Sequence, residues 1–154
     1  GHWTGFYDSR MFVHDVDKKF YDELMKGSHA LLDNAFPVSV IGKDTLDSHA
    51  KGTGRHYRKL EAASERKGPW HRFGNSDPIL KTLFGATALI QFTHCIIPVK
   101  IDVVDCSCPL LGLKTLNNLQ SEIRLGDSSL LIHAFGERTD YTLDKFGPYL
   151  AVLQ

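Results

Sequence analysis

Asp33 is the acid whose surroundings most need a chemical explanation. It closes the apolar run Ala30-Leu31-Leu32 inside "ALLDNAFPVSVIG" (30–42), and apolar residues resume at Phe36, Val38, Val40 and Ile41 before Gly42. An unpaired carboxylate in such a setting costs several kcal/mol or takes up a proton. A carboxyl group held in apolar surroundings is also a tool for general acid–base chemistry. A plainer reading stands beside this one: Asp33-Asn34 followed by Pro37 is turn chemistry between two short strands. Other nucleophile or ligand patterns are weaker. Ser39 lacks the Gly-x-Ser-x-Gly elbow of serine hydrolases. Cys106 and Cys108, one residue apart, have no second pair to complete a zinc site, and free cysteines in apolar-flanked strands are usually packing residues. The histidines, His71 and His94 among them, are scattered without metal-binding spacing and read as surface or packing residues. No metal and no cofactor is expected.

Something must hold Asp33 in place, and the chain has the means. Its 154 residues are enough for one domain with a real core. Eighteen basic residues balance eighteen acidic ones, so no net field draws the chain to nucleic acid or to an anionic membrane, and neither is expected as a partner. No apolar run approaches the ~18 residues of a membrane span, and no segment reads as a signal peptide. Three cysteines, an odd number, argue for a reducing compartment, so the expected location is intracellular, cytoplasmic or nuclear.

Strand-like runs dominate: 11–16, 29–33, 38–42, 79–92, 95–105, 121–125, 129–135 and 149–153, mostly bounded by Gly, Pro, Asp or Ser. Helical spacing is confined to 20–27, to 42–51 before Gly52 and Gly54, and to 110–120, where Leu113, Leu116 and Leu119 share one face. Gly126-Asp127 between two strands signals a hairpin. The polar stretch 55–68 runs into "PWHRFGNSDP" (69–78), readable as a surface hairpin or as an arm covering a cleft. Many short strands with few helices predict an all-β fold, a closed barrel or a sandwich.

Taken in order, these pieces resemble the retropepsins, the aspartic proteases of retroviruses and LTR retrotransposons. The first mark is "ALLDNAFPVSVIG", similar to the family's apolar residues, Asp-Thr/Ser-Gly, Ala and apolar run. The second is "WHRFGNS" (70–76), similar to the aromatic, glycine-containing flap of the retrotransposon branch. The third is "IDVVDCSCPLLGLKTLNNL", a strand ending in an acidic turn, then Pro, two leucines, Gly and a short helix. "SEIRLGDSSLLI" and "GPYLAVL" resemble the strand, hairpin and terminal strand that follow. The resemblance spans about residues 11–153 and implies a domain over 11–154, after an N-terminal segment 1–10, with one short C-terminal helix. It further implies a homodimer with a peptide or protein segment in its cleft, joined through the loop around Asp33 and through the terminal strand "PYLAVL", which a lone chain would leave as an open edge. Asp33 of each chain would be catalytic at the tip of a loop, with Trp70, Phe73, Gly74 and Asn75 in the flap. Two such carboxylates ~3 Å apart share one proton, so that one activates water and the other donates to the scissile carbonyl.

The departures from the family pattern fall on the parts that do chemistry. Asn34 replaces the Thr or Ser whose hydroxyl braces the facing loop, and a longer planar amide needs a different loop separation. Ala35 replaces the Gly that lets backbone pack on the carboxylates and whose N–H can donate to them. Phe36-Pro37 loses a backbone donor, and Asn75-Ser76 replaces the flap's Asp-Gly. Three readings stay open: a degenerate retroelement-derived domain with an assembly or binding role, an active aspartic endopeptidase with an unusual loop, or an unrelated small β domain whose Asp33 is a turn residue.

Overall fold

The structure is a computed structural model that describes residues 29–60, 70–71, 80–105, 107, 109–144 and 147–151. The expected domain start near residue 11, the strand at 11–16 and the helix at 20–27 lie outside these residues. Twelve strands are described: β1 (His29–Asp33), β2 (Val40–Gly42), β3 (Arg58–Lys59), β4 (Trp70–His71), β5 (Leu80–Gln91), β6 (Ile96–Val104), β7 (Leu110–Gly112), β8 (Ser121–Arg124), β9 (Ser129–Ile132), β10 (Glu137–Asp140), β11 (Thr142–Asp144) and β12 (Gly147–Ala151). Two helices join them, α1 (Lys43–Thr53) and α2 (Leu113–Asn118).

The larger sheet has the order β11-β12-β1-β7-β2-β6-β5-β3, with β4 also on β5, and the smaller has the order β10-β9-β8. The fold is all-β. Among the described residues its ladders run from β11 at one end to β3 at the other. Ala86, Ala88 and Ile90 of β5, Ile97, Val99 and Ile101 of β6, and Leu130 and Ile132 of β9 belong to one core cluster, which joins the two sheets. Along β6 the alternation is plain: Ile97, Val99 and Ile101 are buried while Ile96, Pro98 and Lys100 are exposed. Successive strand side chains point to opposite faces, so one face of β6 is core and the other is left to solvent.

β1 behaves differently. It lies between antiparallel β12 and parallel β7, and Ala30, Leu31, Leu32 and Asp33 are all buried. A strand covered on both faces reads as a continuous apolar run, which is why "ALLD" shows no alternation.

α1 follows the expected helix at 42–51 and runs two residues past it. Thr45, Leu46, His49 and Ala50 make its buried stripe. Gly52 is passed without a break; Gly54 stops the helix with φ +70°, its N–H donating to Ala50 O at 2.9 Å. That left-handed position is where glycine is favoured.

Three expectations are corrected. The segment 110–120 is not one helix: Leu110–Gly112 is captured by β1 and β2 as a strand, and helix begins only at Leu113. Leu113 is consequently exposed, while Leu116 and Leu119 are buried. The expected strand over 129–135 ends at Ile132, and a 3-10 turn follows, closed by Gly136 at φ +61°. The terminal strand is not an open edge within its described part: Tyr149 pairs with Leu31 on one side and with Thr142 on the other, which makes β11 the outer strand. The predicted hairpin at Gly126-Asp127 is present between β8 and β9, with Ser128 taking the left-handed conformation at φ 54°.

Candidate functional site

Asp33 is the last residue of β1, in register with Gly112 of β7. Beyond it the chain turns at once. Phe36 N–H donates to Asp33 O at 3.3 Å, and Ala35 N–H donates to Asp33 Oδ1 at 3.0 Å. A carboxylate that accepts from the backbone two residues on is an Asx-type turn, so the turn reading of Asp33 is physically realised. The same bond is the donor that the resemblance assigns to the residue at position 35. Ala35 keeps it, and does so without strain: the non-glycine residues with positive φ among those described are Gln120 and Ser128.

The loop is then fastened to α2. Leu113 N–H donates to Phe36 O at 2.7 Å and Lys114 N–H to Pro37 O at 3.0 Å. No side chain caps α2; these two loop carbonyls take up helix-end N–H groups that would otherwise lack acceptors. Ser39, 2% exposed, completes the attachment. Its Oγ accepts from Gly112 N–H at 3.0 Å and lies 2.5 Å from Thr115 Oγ1, and its carbonyl accepts from Asp102 N–H at 2.9 Å. Gly112 itself has no room for a side chain: a Cβ there would lie 2.2 Å from Val38 O and 2.8 Å from Phe36 O. Two motifs far apart in sequence are thus one structural unit, a parallel strand pair with the Asp33 loop laid across Gly112 and α2.

No family model matches the chain, and no curated protein matches it. Among solved structures it is similar to the retroviral protease-like domain of Ddi1 from Leishmania major, at 15% identity and a TM-score of 0.48, over 75% of this chain and 85% of that one. It is also similar to the EIAV protease complexed with the inhibitor HBY-793, at 20% identity and a TM-score of 0.38, over 62% of this chain and 80% of that one.

Exposure divides the Asp33 loop sharply. Asp33 is only 4% exposed, whereas Asn34, Ala35 and Pro37 are exposed and Phe36 and Val38 half-buried. The last two pack on Val40, Val104 and Leu110. Toward solvent the loop therefore offers an amide, a methyl group and a proline ring, with the carboxylate behind them.

Of the expected flap residues, Trp70 lies in β4, where it is in register with Lys81 of β5. Phe73, Gly74 and Asn75 lie outside the described residues, as do Cys106 and Cys108. Among the described residues no three His, Cys, Asp or Glu side chains gather as a metal site, and no helix is long and apolar enough to cross a membrane.

Four residues of note carried little or no signal in the sequence. Ser39 has a role, but as a buried brace. Glu137, 4% exposed, accepts from His94 N–H at 3.0 Å and fixes the β5–β6 turn to β10. Burial and a hydrogen bond with Glu137 push the Cys95 thiol up to about 11, which leaves it protonated at neutral pH and a poor nucleophile. His49 of α1 is 4% exposed, and its Nε2 has no hydrogen-bond partner. It borders a small apolar cavity shared with Ala30 of β1 and Leu111 of β7. Burial, with the charge of Arg55 adding to it, holds its imidazole below the ordinary range.

Proposed function

We propose that residues 11–154 form a homodimeric, retroelement-derived retropepsin-like domain, intracellular, that serves assembly or peptide binding, with weak or absent proteolysis. The observation that carries this reading is the division of the Asp33 loop: the carboxylate is covered while Asn34, Ala35 and Pro37 face outward. An aspartic protease needs a water molecule and a scissile carbonyl within hydrogen-bond reach of its acid. Where the family has a bracing hydroxyl and a bare backbone, this loop presents a planar amide and a methyl group. Misplacement of the reacting groups by ~1 Å already costs about a hundredfold in rate. Trp70, Phe73, Gly74 and Asn75 are the residues this reading assigns to contact with a bound segment.

The alternative, an active aspartic endopeptidase using Asp33 from each chain, is favoured by one feature. Ala35 N–H still donates to Asp33 Oδ1, so the backbone that orients the acid is intact.

Digestion of a diverse peptide library between about pH 4 and 7, the range in which a shared-proton carboxylate pair works, separates the two. Wild type and Asp33→Asn are both expected to leave the library uncut. The double variant Asn34→Thr/Ala35→Gly is expected to recover some cleavage. Pepstatin-sensitive cleavage by wild type that disappears in Asp33→Asn overturns the proposal in favour of the endopeptidase.

A further inference from the structure

A cavity of about 410 Å³ lies on the solvent face of β6, within the ~300–1,000 Å³ range of ligand sites. Alternation along β6 sends Pro98, Lys100 and Asp102 to this face, and they form its floor. Lys114, Thr115 and Asn118 of α2, with Leu119 just past its end, make one wall, and Leu60 and Val38 contribute to the rest. Leu60 is held there by its N–H, which donates to Gly85 O at 2.9 Å, and by the space above Gly85, where a Cβ would come within 3.2 Å of Leu60 Cδ1. The residues lining this cavity do not include Asp33, Asn34 or Ala35.

Charge and apolar surface meet in it. Lys100 and Lys114 are both exposed, and neither takes part in the ion pairs among the described residues. Asp102, the acid on the floor, already has an interaction of its own. Val38, Leu60, Pro98 and Leu119 supply the apolar part.

From these features we infer that the cavity is a docking site for a short acidic peptide segment of a partner protein, one that seats an apolar side chain between its carboxylates. Two lysines beside apolar lining complement that pattern: the ammonium groups meet carboxylates, and Val38, Leu60, Pro98 and Leu119 take the apolar side chain out of water. The two cations border a single cavity instead of forming a stripe, and the chain's overall charge is balanced, so a peptide fits better than a nucleic acid. The site does not depend on whether Asp33 cleaves anything. It does touch the Asp33 loop, because Ser39 and Thr115, which bond to each other, both line the cavity.

The test uses the full chain and two fluorescein-labelled hexapeptides, Asp-Glu-Leu-Asp-Glu-Leu and its neutral counterpart Asn-Gln-Leu-Asn-Gln-Leu. Fluorescence anisotropy is expected to show the acidic peptide binding about tenfold tighter, the size two exposed ion pairs supply, and losing that advantage as salt screens them. Amide shifts in NMR spectra are expected at 98–102 and 114–119. Lys100→Gln/Lys114→Gln, two exposed positions, is expected to erase the preference while leaving the melting temperature unchanged. Asp33→Asn is expected to bind as wild type does, which separates this site from the proteolysis question. Equal binding of the two peptides, an undiminished preference in the lysine variant, or shifts concentrated at 33–37 would each overturn the inference.

Discussion

One hydrogen atom at Gly112 decides whether the Asp33 loop can lie where it does. A methyl group there would sit 2.2 Å from Val38 O and 2.4 Å from Val38 C, both backbone atoms that cannot rotate away. Gly112→Ala is therefore expected to lower stability by about 2–3 kcal/mol in urea denaturation and to displace the amide resonances of residues 36–39. Gly52→Ala is the control. Nothing lies within 4 Å of a Cβ at Gly52 in α1, and alanine there is expected to stabilise by about 0.5–1 kcal/mol. If both variants behave alike, the loop is not seated on Gly112. The same scale explains why Ala35 leaves the backbone intact: its φ is not left-handed, so the loss of glycine falls on the surface the loop presents and not on its conformation.

Among elements, α1 carries a testable weakness. His49 sits on its buried stripe facing β1 and β7, with its folded-state pKa depressed by burial first and by Arg55 second. The groups facing it from the packed strands are apolar, Ala30 and Leu111 among them. In the unfolded chain a histidine titrates near ~6.5. Above that pH both states are neutral and His49 adds no pH dependence to stability. As the pH falls from ~6.5 through the folded-state value, the unfolded chain binds the proton first and stability is lost. Wild type is expected to lose urea resistance over this interval more steeply than His49→Leu; parallel curves would show that His49 is not held neutral.

Elements also mark where the sequence could and could not be read. β5, β6, β8 and α1 were legible because their apolar periods or bounding residues are local. Leu110–Gly112 was not, because it is strand only through its pairing with β1 and β2, and the six residues before it hold no sign of that. Asp33 stood out as an acid in an apolar run. Ser39 did not, since a buried hydroxyl bridging Gly112 and Thr115 leaves no pattern in its own neighbourhood.

For the molecule as a whole, the proposed homodimer must be built from less than the sequence suggested. The described part of β12 already has partners inside the chain. Beside the Asp33 loop, the exposed surface is Asn34, Ala35 and Pro37, together with Leu113, which is 41% exposed and donates its N–H to the loop. A two-fold contact across this surface is self-complementary and closed. Light scattering at about 50 μM, where even a modest Kd populates the complex, is expected to give twice the monomer mass, and Leu113→Glu is expected to give the monomer with an unchanged melting temperature. A wild-type monomer at that concentration rules the dimer out.

The placing of β1 between β7 and β12 also sets an order in time. Leu31 pairs with Leu110 and with Tyr149, residues that leave the ribosome long after it does. Until they emerge, "ALLD" is an apolar strand with neither neighbour, and both ladders must close long loops before any pairing energy is returned. The segment bearing Asp33 is thus made early and settled late, and during synthesis it is an apolar stretch that a chaperone would cover.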